Sequence, residues 1–243
     1  MIRIPRAPAL FLSCAAACAA ACPALPPSLA AESTPTPDQV LKQLKEGNER
    51  YLTNVSKHAR IDVERRVETA KKGQKPLSTV LGCSDSRVPV EIVFDQGFAE
   101  VFVVRVAGNI CDTAELASVE YGTRYLGTPL LVVLGHSKCG AVDGAVSGAR
   151  LEGSLPKLVA HITPAVEGVK RGHPELKGDA LLDAAVDANV MHSIEEMLNN
   201  SGVLRERVRK GQLKVVGAVR NLKSGRVRWL GEHPRQKSLI ERT

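Results

Sequence analysis

The run "PLLVVLGH" (129–136) is apolar almost without interruption until it meets a histidine. A strand exposed on one face alternates apolar and polar residues, because successive side chains point to opposite sides. A continuous apolar run therefore belongs in a sheet covered on both faces, which in practice means a parallel one. "STVLGC" (78–83) and "EVFVVRVAG" (100–108) have the same character. "ELASVEYGTRYLG" (115–127) reads as a helix, and "CGAVDGAVSG" opens another just after the histidine run. The pattern confines the chain to the α/β class, with a mostly parallel central β-sheet flanked by α-helices.

Other segments complete this frame. Thr36 and Pro37 carry the signals of an N-cap and first helical position for "VLKQLKEGNERYL", with Gly47 a weak point within it. A charged helix is expected over Val63 to Lys72, and a long helical segment from Asp179 to Arg209. "LKVVGAVRNL" and "GRVRWLG", joined through Ser224-Gly225, form a terminal hairpin.

The first 31 residues stand apart. Arg3 and Arg6 precede an alanine-rich apolar stretch from Ala9 to Ala21, and cleavage fits after Ala30 or Ala31. This is the form of a cleavable signal peptide, too short and proline-interrupted to span a bilayer. The expected division is residues 1–31 as signal and 32–243 as a single domain. The protein is then exported, and periplasmic in a double-membraned bacterium. Removing the segment takes away two arginines and no acid, lowering the net charge from +7 to +5.

A mildly basic surface with "RERVRK" (205–210) as its densest cluster reads as a solvated helix end. With 3% aromatic residues there are few platforms for base stacking, so nucleic acid is not an expected partner. Three of six cysteines fall in the signal segment, leaving Cys83, Cys111 and Cys139. Three thiols do not make a disulfide framework.

Cys83 ends one strand, and His136 and Cys139 follow another, 53 residues downstream. Open parallel sheets bind ligands at the carboxyl ends of their strands. Two thiolates and an imidazole suit zinc, and three protein ligands leave a tetrahedral position open for chemistry. Asp85 and Arg87 alternate with Cys83, so an extended chain would point all three to one face. Cys111 reads as a small buried hydrophobe. His58, His161, His173, His192 and His233 show no spacing that selects a proton carrier.

"CSDSRVP", "VFVVRVAGN" and "GHSKCGAV", in this order and spacing, resemble the β-class carbonic anhydrases over roughly residues 37–231. The resemblance implies one Zn2+ per subunit on Cys83, His136 and Cys139. It implies hydration of carbon dioxide to bicarbonate and a proton by zinc-bound hydroxide, assisted by an Asp85–Arg87 dyad. Arg87 would keep Asp85 ionised and oriented. In some members the same aspartate closes onto zinc and silences the enzyme. A bicarbonate-regulated subgroup of this kind has Trp where this chain has Val80, although Gly82 fits that subgroup, and Asp85 is expected off the metal.

By the same resemblance the apolar substrate pocket falls on Phe102, Ala107, Tyr121 and Gly140, with Tyr121 reaching in from a partner subunit. Gln74 would hydrogen-bond bicarbonate. Arg105 is read as a structural ion-pair partner. The implied assembly is a homodimer or homotetramer with the site at the subunit interface. Two alternatives stay open: a carbon disulfide or carbonyl sulfide hydrolase on the same fold, and a non-catalytic zinc module closed by Asp85.

Overall fold

The computed structural model describes residues 35–242. The expected signal peptide, residues 1–31, lies outside the described residues. Helix α1 (Pro37–Leu52) starts at a complete capping box, in which Thr36 and Gln39 exchange side-chain and backbone hydrogen bonds, with Pro37 at the first position. Asp62 caps α2 (Val63–Lys72). Then follow β1 (Ser78–Cys83), α3 (Val90–Val93), β2 (Val101–Val106) and a 3-10 turn over Ala107–Asn109. Helix α4 (Thr113–Glu120), a π turn (Tyr121–Tyr125), β3 (Leu130–His136) and α5 (Gly140–Ser147) come next. The remainder is α6 (Leu155–Ala160), α7 (Thr163–Gly172), α8 (Gly178–Asn200), α9 (Gly202–Arg209), β4 (Lys214–Arg220), β5 (Val227–Gly231) and α10 (Gln236–Ile240).

The five strands lie in the order β2-β1-β3-β4-β5. The first four are mutually parallel, and β5 returns antiparallel as the second arm of the expected hairpin. Both faces are covered, and neighbouring residues of each strand enter different cores. Leu81, Leu131, Val133, Val215 and Val219 pack on one side with α4, α5, α7 and α8. Val80, Leu130, Val132, Leu134, Val216 and Ala218 pack on the other with α1 and α3. Each such valine or leucine, fully buried, contributes about 1.5–3 kcal/mol, so the strands tolerate little polarity outside their ends.

The structure corrects three sequence expectations. The helical segment from Asp179 to Arg209 is two helices, broken at Ser201, whose hydroxyl accepts from the Leu204 N–H and starts α9 as its N-cap. The helix over 115–127 gives way to the π turn after Glu120. Gly47 is the contact point of α1: a Cβ there would lie 1.8 Å from the Phe94 carbonyl oxygen.

Helix α8 buries an apolar stripe through Leu182, Val186, Val190, Ile194 and Met197. Asn189 and Ser193 lie on the same buried face and donate to the carbonyls of Gly108 (2.8 Å) and Asn109 (2.9 Å). The helix that fills the core thereby fixes the loop beyond β2. Helix α2 buries none of its residues, and Val63 and Val67 stand exposed, near in sequence to exposed Val55 and Ile61. Among the described residues no helix is long and apolar enough to cross a membrane.

Candidate metal centre

β1 and β3 are adjacent in the sheet and run parallel, so their carboxyl ends emerge together. Cys83 is the last residue of β1 and His136 the last of β3. After His136 the chain turns through Lys138, which takes a left-handed φ of 56°, and this brings Cys139 back at the start of α5. The ligand atoms of Cys83, His136 and Cys139 all lie within 4.8 Å of one another, and all three residues are buried. Among the described residues this is the group that could hold a metal ion.

His136 is prepared for a Lewis acid. Its Nδ1 lies 3.0 Å from the Ser137 carbonyl, which can only accept, so Nδ1 carries the hydrogen and Nε2 the lone pair. Nε2 is buried and has no hydrogen-bond partner. A buried orphan nitrogen is costly unless something occupies it. Beside two sulfurs, the donor set fits zinc.

The sulfur of Cys83 accepts the backbone N–H of Gly108 at 3.3 Å and of Asp85 at 3.4 Å. The Cys139 thiol beside it, first, and these two amides hold the Cys83 thiol well below its ordinary range against the opposing effect of burial. The hydrogen bond to the Cys83 sulfur, then burial and the charge on Cys83, push the Cys139 thiol up. With one thiol held low and its neighbour held high, a dication between them favours ionisation of both. Cys111 is different: burial pushes its thiol up to about 12, and it lies in the core without belonging to the group of ligand atoms.

Asp85 and Arg87 form a fork. Arg87 Nε donates to Oδ1 at 2.9 Å and a terminal nitrogen to Oδ2 at 2.6 Å, while the Arg87 amide also reaches Oδ1 at 2.9 Å. These bonds, the guanidinium's first among them, hold the Asp85 carboxyl well below the usual carboxylate range. Oδ2 is 3.9 Å from His136 Nε2, so the carboxylate flanks the cluster. The extended-chain alternation does not hold. Residues 85–88 form a turn closed by Val88 N–H to the Asp85 carbonyl (3.0 Å), which bends Arg87 back onto Asp85.

Sequence reasoning missed what supports this turn. Arg105, read as an ion-pair partner, donates to the Cys83 carbonyl at 2.9 Å and the Asp85 carbonyl at 2.6 Å. It ties β2 to the ligand loop through backbone acceptors, which leave no trace in side-chain patterns. The sulfur-binding amide of Gly108 was likewise missed. The glycine closing the strand run was the available signal, since glycine takes the left-handed φ of 70° found here without penalty.

The expected pocket residues are distributed unevenly. Ala107 is half-buried beside Gly108, and Gly140 follows Cys139 at the start of α5. Phe102 packs against Tyr121 with ring centroids 5.9 Å apart, and Tyr121 stacks on Tyr125 at 5.8 Å. Tyr121 and Tyr125 are 48% and 78% exposed, so this aromatic ladder runs outward to the protomer surface. Gln74 is exposed in the loop between α2 and β1 and makes no hydrogen bond among the described residues.

A mostly parallel α/β sheet with a Cys/His/Cys group at adjoining strand ends and a carboxylate–guanidinium fork beside it is the architecture of the β-class carbonic anhydrases. A family model described as carbonic anhydrase matches residues 78–227. Carbonic anhydrase 2 of Mycobacterium tuberculosis is 38% identical over 195 residues, covering 78% of this chain and 91% of that protein. A carbonic anhydrase of Mycolicibacterium smegmatis is 35% identical over 196 residues, covering 79% and 92%. A structure from a study of two tetrameric β-carbonic anhydrases of Sordaria macrospora superposes with a TM-score of 0.64 at 27% identity, covering 70% of this chain and 87% of that one. The chain belongs to the carbonic anhydrase family, in its β class.

Proposed function

We propose that the protein catalyses the reversible hydration of carbon dioxide with one zinc ion held by Cys83, His136 and Cys139. The observation that carries this reading is the buried, partnerless Nε2 of His136 facing two sulfurs, with the Asp85 carboxylate 3.9 Å away. Zinc, when bound, supplies Lewis acidity that makes water acidic enough to lose a proton near neutral pH.

The chain's own residues do the rest. Asp85, kept ionised by Arg87, accepts a hydrogen bond from the nucleophile and aims it. Both carboxylate oxygens are engaged by Arg87, so for Asp85 to join the metal and close the site the fork must first open. Ala107 and Gly140 leave room for a small linear substrate, and the outward Phe102–Tyr121 edge of the neighbouring subunit supplies an apolar wall. Gln74 binds the bicarbonate oxygens only if its loop is brought to the site.

The exposed apolar side chains of α2 and the outward aromatic ladder support an oligomer in which Tyr121 and Gln74 complete the neighbouring subunit's pocket. A homodimer or homotetramer with the site at its interface follows. Residues 1–31 act as the export signal, and the enzyme is periplasmic if its source is a double-membraned bacterium.

Stopped-flow hydration on zinc-loaded protein across pH about 6.5 to 9, beside Asp85→Asn, tests the reading. Fast turnover near neutral pH that the variant loses supports Asp85 as the orienting acceptor. A rise only at the alkaline end would place Asp85 on the metal at lower pH. Absence of hydration at any pH with zinc bound would refute the anhydrase reading.

A further inference from the structure

Arg220 ends β4 directly across from His136 of β3, and only 5% of it is exposed. A guanidinium keeps its charge at any pH the protein meets, and burying one is costly unless counter-charge or acceptors meet it. Yet none of its hydrogen-bond partners is a carboxylate. One terminal nitrogen donates to the backbone carbonyl of Arg87. The other donates to the Tyr51 hydroxyl at 2.8 Å, and the Tyr51 ring centroid lies 5.5 Å from the guanidinium carbon. Its Nε is buried without a partner.

Tyr51 is itself held in place. It sits in the last turn of α1 and presses on Gly225 of the β4–β5 turn, where a Cβ would come within 2.8 Å of the ring. Three segments distant in sequence therefore converge to aim one charged group at a single carbonyl. An apolar side chain would fill this space at lower cost. What the guanidinium adds is direction. Arg105 holds the Asp85 end of the 85–88 turn through the Asp85 carbonyl, and Arg220 holds its Arg87 end.

We infer that Arg220, seated on Tyr51, is a positioning residue that fixes the Asp85–Arg87 turn and so the angle at which Asp85 faces the Cys83–His136–Cys139 centre. The inference rests on the carbonic anhydrase reading for its catalytic consequence and on the turn itself for its structural one.

Arg220→Met, Arg220→Lys and Tyr51→Phe, each as full zinc-loaded protein, test it with two independent readouts. The first is the split between kcat and KM for hydration. Misplacement of a reacting group by about 1 Å costs on the order of a hundredfold, so Arg220→Met should lose about ten- to hundredfold in kcat with KM nearly unchanged. Arg220→Lys and Tyr51→Phe should lose less, with zinc content kept at one per chain. The second readout is hydrogen exchange at the Val88 amide, which closes the turn onto the Asp85 carbonyl. Exchange there should quicken in all three variants relative to amides of β3.

Unchanged kcat and unchanged Val88 exchange in Arg220→Met would overturn the inference. So would a loss of activity that merely tracks lost zinc or a lowered melting temperature. If Arg220→Met does not fold, Tyr51→Phe decides, since it removes one hydroxyl: wild-type kcat and exchange in that variant overturn the inference. A wild-type protein inactive with zinc bound would refute the anhydrase reading, while the exchange data would still decide whether Arg220 fixes the turn.

Discussion

Replacing Gly108 by alanine tests how the metal centre is supported. Gly108 has φ 70°, and its N–H lies 3.3 Å from the sulfur of Cys83. A left-handed alanine costs about 1–2 kcal/mol. The new Cβ would meet Ile162 Cδ1 at 2.7 Å and the Ala141 Cβ at 3.1 Å. The first is the free end of a flexible side chain and can swing away. The second belongs to α5 and must yield or push Gly108 back, at the low end of the roughly 1–3 kcal/mol typical of overpacking. The sum is about 2–4 kcal/mol, which for a domain of this size lowers the melting temperature by about 5–15 °C. Displacement of the backbone lengthens the N–H···Sγ bond, and loss of such supporting contacts typically weakens zinc binding by about 10–100-fold.

Gly127→Ala is the internal control. Its φ is 74°, but a Cβ there meets nothing within 4 Å, so only the backbone cost applies. Calorimetry of the zinc-loaded proteins and competition against a chromophoric chelator separate the two variants. Equal losses of stability and zinc affinity at both positions would refute the argument from close packing against α5 and α6–α7.

Two further outcomes are expected. Asp95 has no exposed side-chain surface and accepts from Arg50 Nε (2.5 Å), Lys57 N (3.0 Å) and His58 N (3.1 Å), so Asp95→Asn sets an amide against one of these donors. Urea unfolding at neutral pH should show a loss of about 3–5 kcal/mol, the cost of breaking a buried ion pair, and Asn tolerates the left-handed backbone there. Burial raises the Asp95 carboxyl, but the Arg50 bond and the two amides outweigh it and leave it below the ordinary value. Its stabilisation is therefore complete above the unfolded pKa of about 3.9, and the gap between wild type and variant should shrink as pH falls below that. A gap that does not change with pH would mean the charge is irrelevant. For the thiols, peptide mapping after iodoacetamide at mildly alkaline pH should find Cys83 and Cys139 protected with zinc, and after chelation Cys83 labelled first, with Cys139 lagging because its bond to Cys83 and burial hold its thiol up. Cys111 should resist in both states, because burial pushes its thiol to about 12, and yield only on unfolding. Labelling of Cys111 in the folded protein would contradict this.

The strand frame and the three candidate ligands were legible because they obey local rules. Doubly covered strands must be apolar throughout, so a cysteine or histidine at their ends stands out in the sequence. What stayed hidden depends on partners remote in the chain. The break at Ser201 lies inside an unbroken helical periodicity and shows only through its hydroxyl cap. Gly47 looks like a defect until Phe94 is packed against α1. Arg105 and Arg220 act on backbone carbonyls 20 and 133 residues away, and no side-chain pattern encodes such targets. The turn at Asp85–Val88 defeats a reading by strand alternation because Cys83 is already the last residue of β1.

The order of the strands in the sheet has a kinetic meaning. β1 and β3 are neighbours in space, but β2 and α4 come between them in the chain. His136 and Cys139 meet by a local turn, whereas Cys83 reaches them only after a long loop has closed, the slow kind of contact in folding. On the proposed function, zinc held across this junction would act as a clasp on that closure, binding the folded arrangement far better than the open chain and stabilising it by mass action. A chelator should therefore speed the unfolding of the whole parallel core, beyond emptying the site.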